Sequence, residues 1–449
     1  MTNKRDIGMK IAVIGSGVAG IGAAWALSAR HDVTLIEAEA NAGGHSRTLD
    51  VEVGAAPISV DTGFIVYNER NYPHLTNLLR TLAVPTVDSD MSFAVSLEDG
   101  SFEYAGRLSG LFTDARSVVD PSIRRLVRGI VRFRSEAKQL QAGLVPDDMD
   151  IYAYLVSRGY PDLFMDRYLM PLASAVWSGT RNNSRAIPAA SFLRFLDNHG
   201  LIGIAGRPQW KTIDGGSRNY VERAIKEITR VHTRRPVHSI RRTALGVEVF
   251  DSGGAPDLYD EVVLATHADV SLRILGEAAS EAERRILSAF RYDANEVVLH
   301  TDTAAMPRRR RIWSAWNAIE RTDDDGTRPV SVSYWMNRLQ PLHTRADVFV
   351  TLNPGDSIDA TKVIDRWNAA HPQFDLATGI AQREIPTIQG IDRVWFAGAH
   401  LGHGFHEDAL QSGLTVAAAL GSPVPWHDDV DPRSLAALHA KPRLAPVLV

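Results

Sequence analysis

The chain has 449 residues, of which 45% are hydrophobic and 23% are charged, a composition typical of a globular protein with about two or three domains. Its formal net charge of −4 provides no basic field that would attract nucleic acid, so no nucleic-acid partner is expected. The absence of cysteine excludes disulfides, thiolate metal sites, a catalytic thiol and a cofactor attached through cysteine sulfur.

The first segment resembles a secretory signal, because Lys4 and Arg5 precede the apolar run IAVIGSGVAGIGAAWAL. The glycines of that run have the spacing of a dinucleotide-binding loop, which argues against a signal. KIAVIG predicts a strand, residues 18–30 a helix and HDVTLIE a second buried strand. This βαβ unit predicts an α/β fold with a Rossmann-type domain. No other apolar stretch is long enough to span a bilayer, and we expect a cytoplasmic protein.

A glycine pattern marks the turn of this unit. Gly15-x-Gly17-x-x-Gly20 follows the first strand and opens the helix. Gly15 allows the tight turn, Gly17 lets the backbone approach a pyrophosphate, and Gly20 lets the helix and strand pack closely. Glu37 ends the second strand, where a carboxylate can hold ribose hydroxyls. The pattern predicts a dinucleotide site but does not distinguish NAD from FAD.

The next stretch, EAEANAGGHSRT, distinguishes the two cofactors. Its Gly43-Gly44 pair and Arg47 resemble the flavin-containing amine oxidase superfamily, which includes phytoene desaturases, protoporphyrinogen oxidases and UDP-galactopyranose mutases. Members carry an acidic residue, a short spacer, then Gly-Gly and a basic residue close to FAD. His45 stands where arginine is usual, and VDTGF at 60–64 resembles the next strand and turn of the family. The resemblance implies non-covalently bound FAD.

The pattern changes along the middle of the chain. Residues 107–200 are predicted to be mostly helical, 234–266 to form hairpin strands and a buried strand, and 294–352 to form an antiparallel sheet. TIDGGSRNYVERA at 212–224 resembles the double-glycine segment that leads back to the FAD domain in the superfamily. By that resemblance, the backbone of Val237 touches the adenine side of FAD.

The α/β signals are therefore split along the chain. We predict one FAD-binding domain assembled from residues 9–75, 205–270 and 385–421. A mixed α+β substrate domain with a helical insertion is expected from residues 76–204 and 271–384, and a loose tail from residues 422–449.

Three histidines lie in the last glycine-rich stretch, WFAGAHLGHGFHEDALQSG. His400, His403 and His406 are spaced by three, as metal ligands on one helix face would be. Gly402 and Gly404 break such a helix and no second cluster supplies ligands, so we predict no metal site. The histidines are instead candidates for lining the flavin and moving protons, or for capping backbone groups only.

In the superfamily, a strand ending in Phe-Ala-Gly leads to a helix whose N-terminus faces the pyrimidine edge of the flavin. We predict that helix over Ala409–Leu420, with the family's Ser-Gly pair at Ser412-Gly413. The candidate catalytic residues are His406, His403 and Glu407. The residues expected to contact the cofactor lie in the loops and helix ends of the FAD domain: Gly15, Gly17, Val18, Ala19, Gly20, Glu37, Ala38, Gly43, Gly44, His45, Arg47, Thr62, Gly63, Val237, Ala265, Gly398, His406, Ala409, Leu410 and Gly413.

Two departures from the superfamily bear on the chemistry. Ala399 follows Phe-Ala-Gly, where Glu or Asp is frequent, so Glu407, Asp408 or backbone groups would have to replace that contact. Amine oxidases place a lysine near flavin N5, whereas the comparable stretch RYDANEVVLHTD has Asn295 and Glu296 and no lysine. The resemblance therefore implies FAD but not an amine substrate.

The whole-chain pattern, including GFHED and SYWMNRLQ, resembles a bacterial group of predicted NAD/FAD-binding proteins associated with lipid modification. This resemblance implies an apolar substrate, such as a lipid or an unsaturated fatty-acyl chain. YLMPLASAVWSG at 168–179 is expected to line the substrate cavity or the core. In residues 115–140, Arg124, Arg128 and Arg132 share one helical face, which predicts a solvated cover helix or a peripheral contact with the inner face of the membrane.

We predict an FAD-dependent oxidoreductase that transfers a hydride between this apolar substrate and flavin N5. Three different functions are also compatible with the sequence. They are a flavin-dependent isomerase of double bonds without net redox change, an amine oxidase, and a flavin- or metal-binding accessory protein without turnover.

Overall fold

A computed structural model describes residues 8–54, 56–105, 121–140, 149–177, 184–198, 208–321, 330–428 and 430. Residues 115–120, 178–179 and 431–449 lie outside the described residues. The sequence predicts for them the start of the basic helix, the end of the apolar segment and most of the tail.

The strands of the described residues are, in chain order, β1 (Lys10–Ile14), β2 (Asp32–Ile36), β3 (Thr48–Val53), β4 (Ala56–Asp61), β5 (Val66–Asn68), β6 (Thr86–Ser89), β7 (Phe93–Leu97), β8 (Phe102–Ala105), β9 (Trp210–Ile213), β10 (Arg230–His232), β11 (Val237–Thr243), β12 (Gly246–Asp251), β13 (Asp257–Tyr259), β14 (Glu261–Leu264), β15 (Arg291–His300), β16 (Trp316–Glu320), β17 (Val330–Trp335), β18 (Phe349–Leu352), β19 (Val363–Gln373) and β20 (Val394–Phe396). The α-helices are α1 (Val18–Leu27), α2 (Pro73–Thr81), α3 (Pro121–Leu140), α4 (Ile151–Ser157), α5 (Asp162–Phe164), α6 (Met170–Trp177), α7 (Ala189–Asn198), α8 (Arg218–Ile225), α9 (Ala268–Leu275), α10 (Glu281–Leu287), α11 (Met336–Leu339), α12 (Leu376–Glu384) and α13 (His406–Ala419). One π-helical turn, Met165–Leu169, joins α5 to α6.

The first unit is centred on a five-stranded parallel sheet in the order β10-β2-β1-β14-β20. Strands β1, β2 and β14 are runs of buried apolar residues, as parallel strands covered on both faces require. The five strands come from the three separated segments from which the sequence predicts the FAD-binding domain. The predicted α/β fold class is confirmed.

The second unit is centred on a seven-stranded sheet in the order β19-β15-β18-β17-β16-β7-β8, in which only β16 and β7 pair in parallel. The long pairing of β15 with β19 runs from Arg291↔Gln373 to His300↔Val363. The sequence analysis did not predict β19. Its residues, VIDRWNAAHPQ, are mostly half-buried, and its polar and apolar side chains do not alternate regularly.

Asp61, at the end of β4, connects the separated segments. Its buried carboxylate accepts hydrogen bonds from Thr48 Oγ1 (2.6 Å), from the backbone N (2.9 Å) and Oγ (2.8 Å) of Ser217, and from Gln340 Nε2 (2.9 Å). Burial raises the pKa of Asp61 to about 6, against the effect of these donors. The sheet β5-β9-β6 joins the same parts of the chain.

The last helix begins three residues earlier than predicted. Helix α13 starts at His406 rather than Ala409, because the Asp408 carboxylate accepts a hydrogen bond from the backbone N of Phe405 (2.9 Å) and closes the first turn. The helix packs closely on α1, since a Cβ added to Gly413 would lie 2.0 Å from the carbonyl oxygen of Ala19.

The chain that follows α13 departs from the expectation of a loose tail. Trp426 is buried and stacks on Trp25, with the ring centroids 5.9 Å apart. Its Nε1 donates to Nδ1 of His74 (3.2 Å). The expectation of a loose tail is wrong at Trp426, because its indole packs against Trp25 and His74 of the first unit.

Helix α3 carries the predicted basic pattern with its apolar side turned inward. Its buried positions are Ile123, Leu126, Ile130 and Phe133, and its exposed positions include Arg124, Arg125, Arg128, Val131 and Arg132. Leu169, Met170 and Ala173, from the predicted apolar segment, are buried in the same core. No helix within the described ranges is long and apolar enough to cross a membrane.

The α1–α13 contact can be tested with Gly413→Ala. The added methyl overlaps the backbone of α1, so the free energy of unfolding should fall by about 1–3 kcal/mol, the usual effect of overpacking. Gly379→Ala in α12 is the matched control, because a Cβ there would meet nothing within 4 Å. Urea unfolding should show the control as stable as the natural protein or more stable by up to about 1 kcal/mol. Equal stability of both variants would contradict the close packing.

Candidate active site

The glycine loop between β1 and α1 is held by Glu37. The carboxylate of Glu37 accepts hydrogen bonds from the backbone N (2.8 Å) and Oγ (2.5 Å) of Ser16, and from the backbone N of Glu39 (2.8 Å). The acidic residue predicted to hold ribose hydroxyls therefore lies beside the loop predicted to hold the pyrophosphate, with Ala38 next to it in sequence.

The two functions assigned to the loop glycines can be separated in the structure. A Cβ on Gly20 would lie 1.8 Å from the carbonyl oxygen of Gly15, so Gly20 is required for packing. A Cβ on Gly17 would meet nothing within 4 Å, so the space that a side chain would occupy there is open. Gly17 is the N-cap of α1, and no side chain caps the first turn formed by Val18 and Ala19. An uncapped helix start with open space beside it fits a pyrophosphate.

A second loop, Gly43 to His45, covers the first. The backbone N of Gly43 donates to the carbonyl oxygen of Ser16 (3.1 Å), and a Cβ on Gly44 would lie 3.1 Å from Cα of Gly17. The turn at Thr62 and Gly63 joins this loop, because the backbone N of Phe64 donates to the carbonyl oxygen of His45 (2.7 Å).

Arg47 bridges the two units. Its Nη1 donates to Thr62 Oγ1 and to the Asp365 carboxylate of β19, both at 2.9 Å. The guanidinium also lies over the ring of Trp367, 5.2 Å from its centroid. This charge is thus paired within the protein.

The remaining predicted cofactor residues fall into two groups. Ala265 lies at the loop, since its backbone N donates to the carbonyl oxygen of Ile14 (2.8 Å). Val237 follows two residues after Arg235, whose backbone N donates to the carbonyl oxygen of Glu37 (2.9 Å). Leu410 and Gly413 face α1, where they pack against Gly22 and Ala19. Ala409 is buried in the first turns of α13, and the backbone N of Gly398 donates to Ser412 Oγ (2.8 Å).

The three histidines of the C-terminal stretch do not converge. The buried ring of His400 packs edge-on against Phe290, with centroids 4.8 Å apart. His403 lines a small cleft that is also bordered by Ile187, Phe374 and Asp375. His406 lies elsewhere, against Phe64. Among the residues that the structure describes, no group of three or more His, Cys, Asp or Glu could hold a metal ion.

His406 belongs to a hydrogen-bonded chain. Its Nε2 is 2.9 Å from the hydroxyl oxygen of Tyr220, which is 2.5 Å from Oγ of Ser46. Its ring stacks on Phe64 with centroids 3.8 Å apart. Burial lowers the pKa of His406 to about 3, so the ring is neutral at physiological pH. The chain can be polarised in either direction, because each hydroxyl can donate or accept.

Glu407 has the contacts of a helix cap. Its two carboxyl oxygens accept hydrogen bonds from the backbone N of His74 (2.7 Å) and Leu75 (3.0 Å), in the first turn of α2. Burial raises the pKa of Glu407 to about 8. Both oxygens are occupied by α2, and a catalytic role for Glu407 stays a prediction.

The sequence analysis missed a group of residues on β19 that lies near His45 and Asn295. His371 lies 5.3 Å from His45 between ring centroids, and Trp367 lies 5.7 Å from it. Buried Asn295 donates from Nδ2 to Nδ1 of His371 (2.9 Å). His267, at the start of α9, is 6.4 Å from His45. The even spacings of two and four between Asp365, Trp367 and His371 place them on one strand face, and recognising β19 would have revealed the group.

The chain belongs to the flavin-containing amine oxidoreductase family, whose model matches residues 18–421. Membership makes the protein a flavin-dependent oxidoreductase and confirms the predicted resemblance. A comparison with curated proteins found no match.

Solved structures of the family share the fold. A fatty acid isomerase from P. acnes that produces CLA is 15% identical, with a TM-score of 0.65 over 94% of this chain and 99% of that chain. Cyclohexylamine oxidase from Brevibacterium oxydans IH-35A is 15% identical, with a TM-score of 0.66 over 92% and 98%. Putrescine oxidase is 13% identical, with a TM-score of 0.67 over 92% and 99%. The fold thus occurs with amine and with fatty-acid chemistry.

Gly17→Ala tests the assignment of the pyrophosphate site. The methyl has room in the protein itself, so the free energy of unfolding without cofactor should not change. It would occupy the space of a bound phosphate, and the Kd for FAD should rise about tenfold or more. Calorimetric titration of the cofactor-free protein measures this. Gly20→Ala should instead destabilise the fold. Unchanged FAD affinity in Gly17→Ala would place the cofactor elsewhere.

Glu407→Gln tests the buried cap through pH. A raised pKa means that folded Glu407 keeps a proton which the unfolded chain releases above its ordinary value of 4.5. Its contribution to stability is therefore full below about pH 4.5 and is lost as pH rises through 8. The stability of the natural protein relative to Glu407→Gln should fall by at least about 1 kcal/mol between pH 5 and 8. Urea unfolding at several pH values measures the difference, and a flat difference would show an ionised carboxylate.

Proposed function

We propose that the protein uses non-covalently bound FAD to transfer a hydride between a carbon atom of an apolar substrate and flavin N5. We propose further that the substrate is a lipid or an unsaturated fatty-acyl chain. The first statement specifies the cofactor and reaction of the family, and the second specifies the substrate class.

The residues present fit FAD. The loop at Gly17 and the start of α1 would hold the pyrophosphate, Glu37 the ribose, and the backbone near Val237 the adenine. The N-terminus of α13 would face the pyrimidine edge, where its positive dipole end favours negative charge. Bound flavin supplies the hydride acceptor or donor.

The observation that carries the substrate class is the neutral lining of the junction between the two units. Burial lowers the pKa of His45 to about 3 and that of His371 to about 4, so both rings are uncharged. The charge of Arg47 is paired with Asp365. Where amine oxidases of the superfamily carry lysine, this chain has the buried amide of Asn295. A wall with little charge suits an apolar chain, because it offers few charged side chains that the chain would have to desolvate.

A further feature supports a lipid substrate. The exposed arginines of α3 would attract an anionic lipid surface, although its apolar side is used in the core. We propose peripheral contact at the inner face of the membrane through these charges alone.

His406 is the proposed proton carrier. Its neutral Nε2 exchanges a hydrogen bond with Tyr220, and Tyr220 with Ser46. When a carbon–carbon bond is desaturated, one hydrogen would leave as hydride to the flavin and the second as a proton, which could move along this chain without displacement of heavy atoms.

Isomerisation of a double bond without net redox change is a second candidate. A fatty acid isomerase shares the fold with a TM-score of 0.65, and amine oxidases share it with TM-scores of 0.66 and 0.67. The low charge of the junction, and not the fold, is what favours the isomerase over an amine oxidase. It uses the same neutral lining and differs only in the absence of net oxidant consumption.

Anaerobic absorbance spectra of the FAD-loaded protein test the proposal. Acyl lipids in anionic vesicles should bleach the flavin bands, whereas primary amines should not. His406→Ala should slow bleaching about 100-fold and retain FAD, because a proton carrier is lost. His343→Ala, at an exposed position, is the matched control and should react normally.

Different outcomes decide between the candidate functions. Bleaching by amines alone would make the protein an amine oxidase. A shifted double bond with no net reduction of flavin or acceptor would establish the isomerase. Bound flavin that no substrate or NADPH reduces would support an accessory protein.

A further inference from the structure

A line of hydrogen bonds crosses the edge of the seven-stranded sheet and ends on His371. The backbone N of Glu296 donates to Oδ1 of Asn353 (3.0 Å), and Nδ2 of Asn353 lies 2.6 Å from Oδ1 of Asn295. Nδ2 of Asn295 then lies 2.9 Å from Nδ1 of His371. The two asparagines connect a backbone group to an imidazole.

The direction of this line is determined at both ends. A backbone N–H can only donate, so the atom of Asn353 that faces Glu296 is its oxygen, and its Nδ2 must donate to Asn295. Nδ2 of Asn295 also donates to the carbonyl oxygen of Asp293 (3.1 Å), which can only accept. The amide orientation of Asn295 is therefore fixed twice, and Nδ1 of His371 must be the acceptor.

An imidazole that accepts at Nδ1 and is neutral carries its proton on Nε2. Burial lowers the pKa of His371 to about 4, and neighbouring His267 adds to the shift, so the neutral form prevails at physiological pH. The ring lies at the junction of the two units, near His45 and Trp367. Within the described part of the chain, no protein group bonds to Nε2 of His371.

We propose that Asn295 is a positioning residue that holds His371 as a neutral Nε2–H donor at the junction of the two units. His371 then gives one hydrogen bond to an uncharged acceptor, a carbonyl oxygen or an unprotonated ring nitrogen, of the ligand bound there. It does not act as a base, because its free nitrogen is occupied by Asn295. This inference deepens the proposed function, in that the ligand is the flavin or the acyl substrate.

The tautomer can be measured without activity. In protein labelled with ¹⁵N in the histidine rings, long-range ¹H–¹⁵N correlation spectra distinguish protonated from unprotonated ring nitrogens, and His371→Gln assigns the signals. His371 should have Nε2 protonated and Nδ1 bare. His300 is an internal reference with the same expected form, since its Nδ1 accepts from the backbone N of Asp302 (3.0 Å). A proton on Nδ1 of His371 in the natural protein would overturn the proposal.

Asn295→Asp tests the positioning role of Asn295 most directly. A carboxylate can only accept, so it should move the proton of His371 to Nδ1, and Asn295→Ala should give a mixture of both forms. Thr351→Val is the matched control, because Thr351 Oγ1 contacts Nε2 of His300 (2.7 Å) and not His371. It should leave His371 unchanged. An unaltered His371 tautomer in both Asn295 variants would overturn the positioning role.

Adding ligand shows whether the flavin or the acyl substrate accepts the hydrogen bond, and it tests the role of His371 separately from the proposed function. The Nε2–H proton of His371 should shift on addition of FAD if the flavin is the acceptor, and only with FAD and an acyl lipid together if the substrate is. No shift with either would overturn the donor role. Asn295→Asp should slow flavin reduction about 100-fold, and Thr351→Val should not. If no acyl lipid reduces the natural protein, the proposed function fails, while the tautomer still decides the role of Asn295.

Discussion

The carboxylate of Asp61 is the contact on which the assembly of the two units depends. Its donors come from the first segment of the chain, from the return segment and from the second unit, and all must be in place together. A buried carboxylate that loses its partners is strongly destabilising, so the site favours a state in which the three parts are docked. Because Thr48 follows Arg47 and Ser217 precedes α8, this same contact sets where Arg47 and Tyr220 stand. The hydrogen bonds of Asp61, and not only the ligand, thus determine the geometry of the junction.

Short-range motifs could be predicted because their geometry is local. The turn at Gly15, the helix behind it and Glu37 at the end of β2 lie within one βαβ unit, and resemblance to a family extended this to the Gly43-Gly44 loop. The residues that could not be predicted meet over long distances in sequence. Glu407 caps a helix more than three hundred residues earlier in the chain. Asn295 contacts His371 through the pairing of β15 with β19, which no alternation of apolar residues predicts. The early start of α13 had a visible cause, Asp408 three residues after Phe405, which the family pattern obscured.

Charge distribution is the basis on which we propose an apolar substrate and not an amine. An amine oxidase must accommodate a group that is protonated in water, whereas here the imidazoles of His45, His371 and His406 are held neutral by burial. Arg47, the cation at the junction, is neutralised by Asp365 and stacked on Trp367. The protein therefore has little fixed charge with which to orient a polar substrate, and must rely on shape and on a few neutral hydrogen bonds.

His406 and His371 belong to different units, and they differ in the hydrogen bonds that they can make. Nε2 of His406 meets a hydroxyl that can donate or accept, so its proton can be placed on either side at little energetic cost. Nδ1 of His371 accepts from the amide of Asn295, whose orientation is fixed by the backbone at Glu296 and Asp293. The ring proton of His371 is therefore on Nε2. Under the proposed function, His406 would move protons and His371 would hold a ligand acceptor. Such a division of labour allows a carbon–hydrogen bond to be broken next to the flavin without a charged side chain in contact with the substrate.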